Sequence, residues 1–202
     1  MYKLGWFSTG RDKAARDLLQ IVLDNIHSSD IKAEIAFVFS NRQPGETEES
    51  DLLFELVNRY RLPLHYLSSK EFRSMGGKQW RRRYDREVMR LLKGDQADLC
   101  VLAGYMLIVG EELCRHRNMI NLHPALPGGP TGTWQEVIWQ LIEANATETG
   151  VMMHLVTPEL DRGPVVSYCK FSIKGPPFDQ HWQKLAGKPV SEIKAEQGDR
   201  NP

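Results

Sequence analysis

The sequence predicts a doubly wound α/β fold, a mostly parallel sheet completed by an antiparallel C-terminal hairpin. Three observations point there. Short apolar runs alternate with segments whose apolar residues recur at helical spacing through the first half of the chain. Leu99 to Ala103 is apolar at every position, as a strand covered on both faces requires. Near the end, two strand-like segments flank a polar loop rich in turn residues.

Leu4 to Phe7 opens the chain as a buried strand, and Ala15, Leu18, Leu19, Val22 and Ile26 then mark one face of a helix. Ile35 to Phe39 is the second strand. Leu52, Leu53, Leu56, Val57 and Tyr60 line the second helix, which Pro63 closes. The unit repeats with Leu64 to Leu67 and with Trp80, Tyr84, Val88, Leu91 and Leu92. After Leu99 to Ala103, a short strand over Met119 to Leu122 runs into Pro124 to Gly132, whose three prolines and three glycines force a turn. A helix from about Thr133 to Asn145 carries Val137, Ile138, Leu141 and Ile142 on one side. Val151 to Thr157 and Val165 to Ile173 form the closing antiparallel pair, with Asp161 in the loop between them. Residues 1–173 therefore read as one domain. Beyond Lys174 the chain turns polar, with breaks at Gly175-Pro176-Pro177 and Gly187-Lys188-Pro189, so 174–202 reads as a tail whose last dozen residues are expected to be mobile.

The chain has 202 residues, and its 26 basic and 26 acidic side chains balance. A neutral global field gives no reason to expect nucleic acid or a membrane surface as a partner, so a charged ligand must be held locally. Cys100, Cys114 and Cys169 are widely spaced and form no CxxC or Cys/His cluster, which argues against a disulfide framework or a zinc site. They read as reduced thiols of a cytoplasmic protein. No stretch approaches the roughly 20 apolar residues of a membrane span, and no signal-peptide pattern is visible at the N-terminus.

The chemistry concentrates in Asn121-Leu122-His123-Pro124. Side chains two apart on an extended segment point the same way, so an amide donor and an imidazole share one side. That pair suits an oxyanion, and a carboxylate at Asp161, if the fold brings it near, would favour the charged imidazole. Each residue alone has a plainer reading. A His before Pro suits a hydrogen-bonded loop, Asp161 suits a turn cap, and His154 within a strand suits a supporting role. Met106 to Val109 would pass for core as readily as for a ligand slot, and the basic cluster Lys78, Arg81, Arg82 and Arg83 for a solvated helix face.

These segments resemble the phosphoribosylglycinamide formyltransferase family, the folate-dependent formyl transferases of purine synthesis. The resemblance runs through Phe37-Val38-Phe39-Ser40-Asn41-Arg42, Tyr84-Asp85-Arg86-Glu87, Val101-Leu102-Ala103-Gly104-Tyr105-Met106, Ile120-Asn121-Leu122-His123-Pro124, Thr149-Gly150, His154 and Glu159-Leu160-Asp161, about residues 1 to 173. It implies a Rossmann-like fold and a catalytic set of Asn121, His123 and Asp161, supported by His154. It implies 10-formyltetrahydrofolate as formyl donor, held by Arg81, by Met106, Leu107, Ile108 and Val109, and by Val156, Thr157 and Glu159. Thr9, Gly10, Arg11 and Asp12 fall where the family holds the acceptor's phosphate. No metal is implied, and the partners are small molecules acting on a monomer or homodimer.

Two departures lie on the acceptor side. The family's phosphate loop carries two glycines and Ser/Asn, whereas this chain reads Ser8-Thr9-Gly10-Arg11-Asp12-Lys13, in which Asp12 would repel phosphate. The loop Ala125 to Trp134 is shorter than in the family, and the tail lacks the family's long final helix. The expected activity is formyl transfer to phosphoribosylglycinamide. Other expectations are formyl transfer to a different amine, hydrolysis of formyltetrahydrofolate, or a folate-binding regulatory protein without turnover.

Overall fold

The computed structural model describes residues 1–77, 79–185, 187–188 and 191–193. Lys78 of the basic cluster, Pro189 of the second break and residues 194–202 of the expected tail lie outside them.

The first half alternates as the periodicity predicts: β1 (Tyr2–Phe7), α1 (Lys13–His27), β2 (Ala33–Ser40), α2 (Glu48–Arg59) and β3 (Leu64–Tyr66). Then follow α3 (Ser69–Ser74), α4 (Trp80–Leu91), β4 (Leu99–Leu102), α5 (Glu111–His116), β5 (Met119–His123), α6 (Trp134–Glu143), β6 (Glu148–Leu155), β7 (Val165–Ser172) and α7 (Asp179–Leu185). The short helices α3, α5 and α7 were not anticipated. With six or seven residues each, they complete too few turns for an apolar period to show.

The seven strands lie in the order β3-β2-β1-β4-β5-β6-β7. The first five pair in parallel, and β6 and β7 add antiparallel. Strand alternation splits the core between the two faces. Phe7, Phe37 and Phe39 pack with Tyr84 and Val88 of α4 and with Leu92 just after it on one side. On the other, Leu4, Trp6 and Val38 pack with Leu19 and Leu23 of α1 and Leu53 and Val57 of α2. Truncating a fully buried ring such as Phe39 would cost about 3–5 kcal/mol. At the far edge, β7 is exposed at every residue.

This order creates the site. The chain leaves β1 toward β2 and β3 and returns on the other flank at β4, so the connections after β1 and β4 diverge at neighbouring carboxyl ends. Ligands of open α/β sheets bind in that crevice. Gly104, with φ of 68°, turns the chain sharply at the end of β4, where a Cβ would stand 3.2 Å from that of Ala15 in α1. Only a residue without a side chain fits that approach comfortably.

Candidate active site

The crevice is a cavity of about 740 Å³. Its walls are the start of α1, the segment after β4, the end of β5, the start of α6 and the β6–β7 connection.

Asn121 and His123 stand two apart on β5, and antiparallel pairing sets Asn121 opposite His154 on β6. Asp161 arrives from the β6–β7 turn with φ of 53°, a left-handed conformation that Asp tolerates better than most residues. Its Oδ2 lies 3.5 Å from Nδ1 of His123, and its Oδ1 lies 3.6 Å from Nε2 of His154. The Asn121 amide donates to Oδ1 at 3.4 Å, and the Gly132 N–H donates to Oδ2 at 3.1 Å. His123, His154 and Asp161 are all buried. Burial pushes the Asp161 carboxyl up, but the contact with His154, the Gly132 N–H and the facing imidazoles together hold it below its ordinary value.

His154 donates from Nδ1 to the Leu155 carbonyl at 2.9 Å. Its Nε2 has two uses. Neutral, it accepts from the Asn121 amide at 3.1 Å; protonated, it turns an N–H toward Asp161. The Asp161 contact favours the protonated form and raises the His154 pKa, against the opposing effect of burial. His123 donates from Nε2 to the Pro130 carbonyl at 2.8 Å, so the loop after β5 lies against its imidazole.

The structure brings most of the expected residues to one cavity. Asn121, His123, His154 and Asp161 line it, with Met106, Leu107, Ile108 and Val109, with Val156, Thr157 and Glu159, and with Arg11 and Asp12. Thr9, Gly10 and Arg81 lie outside the lining. The Thr9 hydroxyl is buried, donates to Asn41 Oδ1 at 2.6 Å and accepts the Met106 N–H at 2.7 Å. Gly10 packs toward Ser50 and Leu53 of α2, and Arg81 donates to the Ile108 carbonyl at 3.0 Å. Asp12 caps α1 with its own side chain, which accepts the Ala15 N–H at 3.0 Å. It takes the N-terminus of α1, a position that favours negative charge.

Sequence reasoning missed Trp134 and Glu136, which line the cavity from the start of α6. One signal was available. Thr133 and Glu136 have the spacing of a capping box, and the structure forms it: each side chain reaches the other's backbone N–H. Nothing local singles out Trp134.

Among the described residues, no group of three or more His, Cys, Asp or Glu side chains could hold a metal ion, and no helix is long and apolar enough to cross a membrane. Comparison with known proteins shows the family. Residues 13–176 match the family described as formyl transferase. The phosphoribosylglycinamide formyltransferase of Escherichia coli strain K12 is 30% identical over 161 residues, covering 77% of this chain and 68% of that protein. A crystal structure of glycinamide ribonucleotide transformylase 1 from Geobacillus kaustophilus superposes with a TM-score of 0.70 at 27% identity, covering 96% of this chain and 89% of that one. The formyltetrahydrofolate deformylase of Bacillus subtilis is 28% identical over 141 residues, covering 69% of this chain and 41% of that protein.

Proposed function

The chain belongs to the formyl transferase family, and we propose that it transfers a formyl group from 10-formyltetrahydrofolate to the amine of phosphoribosylglycinamide in purine synthesis, in the cytoplasm. One observation carries this reading: Asp161, some forty residues on from Asn121 and His123, meets them at a cavity whose adjoining wall is the apolar segment Met106 to Val109. A pterin needs such an apolar slot with backbone groups at its rim.

Attack of the amine on the formyl carbon forms a C–N bond and leaves negative charge on the formyl oxygen. Asn121 and His123 are the donors that meet this charge, usually the largest contribution to such catalysis. To do so, His123 exchanges the Pro130 carbonyl for the oxyanion at Nε2. Asp161, directly or through water, takes the proton lost by the amine and returns it to the folate nitrogen as the C–N bond to the donor breaks.

Hydrolysis is the second reading, and Asp12 is the observation that favours it, because its carboxylate adds negative charge at the N-terminus of α1 and takes an N–H there, which disfavours an anionic acceptor. One experiment separates the two. The protein is incubated with 10-formyltetrahydrofolate with and without phosphoribosylglycinamide, and folate deformylation is followed. Amine-dependent release is expected. Equal release without the amine would establish a hydrolase, and folate binding without any turnover would establish a regulatory protein.

A further inference from the structure

The segment between Tyr105 and Gly110 belongs to neither helix nor strand, so no ladder satisfies its backbone groups. Its residues alternate: Leu107 and Val109 are buried in the core, whereas Met106 and Ile108 are among the exposed large apolar side chains. An extended stretch of this kind keeps its shape only if something outside it holds the backbone polar groups. One face of α4 does this. Arg81 and Asp85 are four apart, and side chains at that spacing lie one above the other on a helix. Arg81 donates to the Ile108 carbonyl at 3.0 Å, and Asp85 Oδ2 accepts the Gly110 N–H at 2.9 Å. A donor and an acceptor on one rigid element thus grip an acceptor and a donor two residues apart on the segment.

The fit around Asp85 is close. A Cβ at position 110 would stand 2.0 Å from Oδ2, so any side chain there would push the carboxylate off the Gly110 N–H. Asp85 is 4% exposed, and a buried carboxylate is costly unless its bonds repay the lost hydration. Burial pushes its pKa up to about 6, with the Gly110 N–H and Arg81 opposing. Neither Arg81 nor Asp85 lines the cavity, so any effect on a ligand must pass through the segment they hold.

We propose that Arg81 and Asp85 are positioning residues that clamp Met106 to Gly110 from α4 and thereby set the shape of the slot for the folate ring. The slot's ligand rests on the proposed function; the clamp itself does not. Two measurements keep them apart: hydrogen exchange of the peptide spanning 104–112 in the ligand-free protein, and the Kd of 10-formyl-5,8-dideazafolate, a stable donor analogue. In Asp85→Ala, the exchange should accelerate about tenfold and the analogue should bind about tenfold more weakly, as expected for one lost hydrogen bond to a charged group, while kcat at saturating donor changes less than about threefold. Asp85→Asn, whose amide oxygen still accepts, should recover most of both effects. Arg81→Met, at a half-buried position, provides a second variant should Asp85→Ala fail to fold, and should loosen the same peptide. Wild-type exchange in Arg81→Met together with either Asp85 variant would overturn the clamp. Faster exchange with an unchanged Kd would overturn its role in the slot, and absence of analogue binding to the wild type would overturn the folate reading itself.

Discussion

The two ends of the cavity are built on opposite principles. At the end built around Asp161, the contacts that gather the side chains are long-range: Asn121 meets His154 and Asp161, and His123 meets Asp161. At the acceptor end, the deciding contact is local, from Asp12 to the amide three residues on. The difference is one of freedom. A network assembled by several strands is fixed by the sheet and tolerates little change, whereas a cap is one side chain that a ligand or a substitution can replace. On the proposed function, reaction type rests on the rigid end and acceptor choice on the adaptable one.

The largest effects should come from the rigid end. His123→Ala and Asp161→Asn should each lower kcat by about 10² to 10³ or more, with the fold retained by circular dichroism. Steady-state rates near wild type in either variant would remove that residue from the mechanism. At the other end, Asp12→Ser keeps a capping oxygen but removes a negative charge, and kcat should stay within about threefold. The KM for phosphoribosylglycinamide should fall roughly five- to thirtyfold, equivalent to about 1–2 kcal/mol of helix-terminus electrostatics. An unchanged KM would show that the acceptor's phosphate binds away from α1.

The network should also leave a pH signature that the cap does not. The Asp161 pKa is held below its ordinary value, so its stabilising contribution is present above about pH 4 and is lost as pH falls through the folded value. The His154 pKa is raised, so its contribution is complete below about pH 6.5 and is lost as pH rises through the folded value. The melting-temperature gap between wild type and Asp161→Asn should therefore be widest at about pH 4–6.5 and narrow on both sides. A gap independent of pH would mean that Asp161 acts without its charge. The smallest effect belongs to Thr133→Ala. It removes half of the capping box, costing about 1 kcal/mol and lowering the melting temperature by about 2–4 °C. A larger loss, or a change in kcat, would tie the start of α6 to the catalytic ring through Pro130.

Particular residues show how far reading the chain reached. Leu99 to Ala103 revealed a covered strand because burial on both faces leaves no alternation, and Asn121 with His123 revealed a shared side because strand geometry repeats every second residue. Asp12 was recognisable as an obstacle to phosphate, and the structure adds that it caps α1. Arg81 was read as touching folate; the structure adds that its guanidinium donates to the Ile108 carbonyl. Asp85 passed unremarked within a motif, since nothing local shows that its carboxylate will be buried against Gly110. The same holds for Trp134 and for the Pro130 carbonyl on His123.

By itself, the sequence determined what local physics can express: the alternation of strands and helices, the paired side chains of β5, and the turn that carries Asp161. Only the tertiary structure decided which of these meet. The strand order set the start of α1 beside the segment after β4, and the β5–β6 pairing brought His154 and Asp161 to Asn121. Those meetings depend on sheet topology and on burial, which belong to the whole chain and to no window of it.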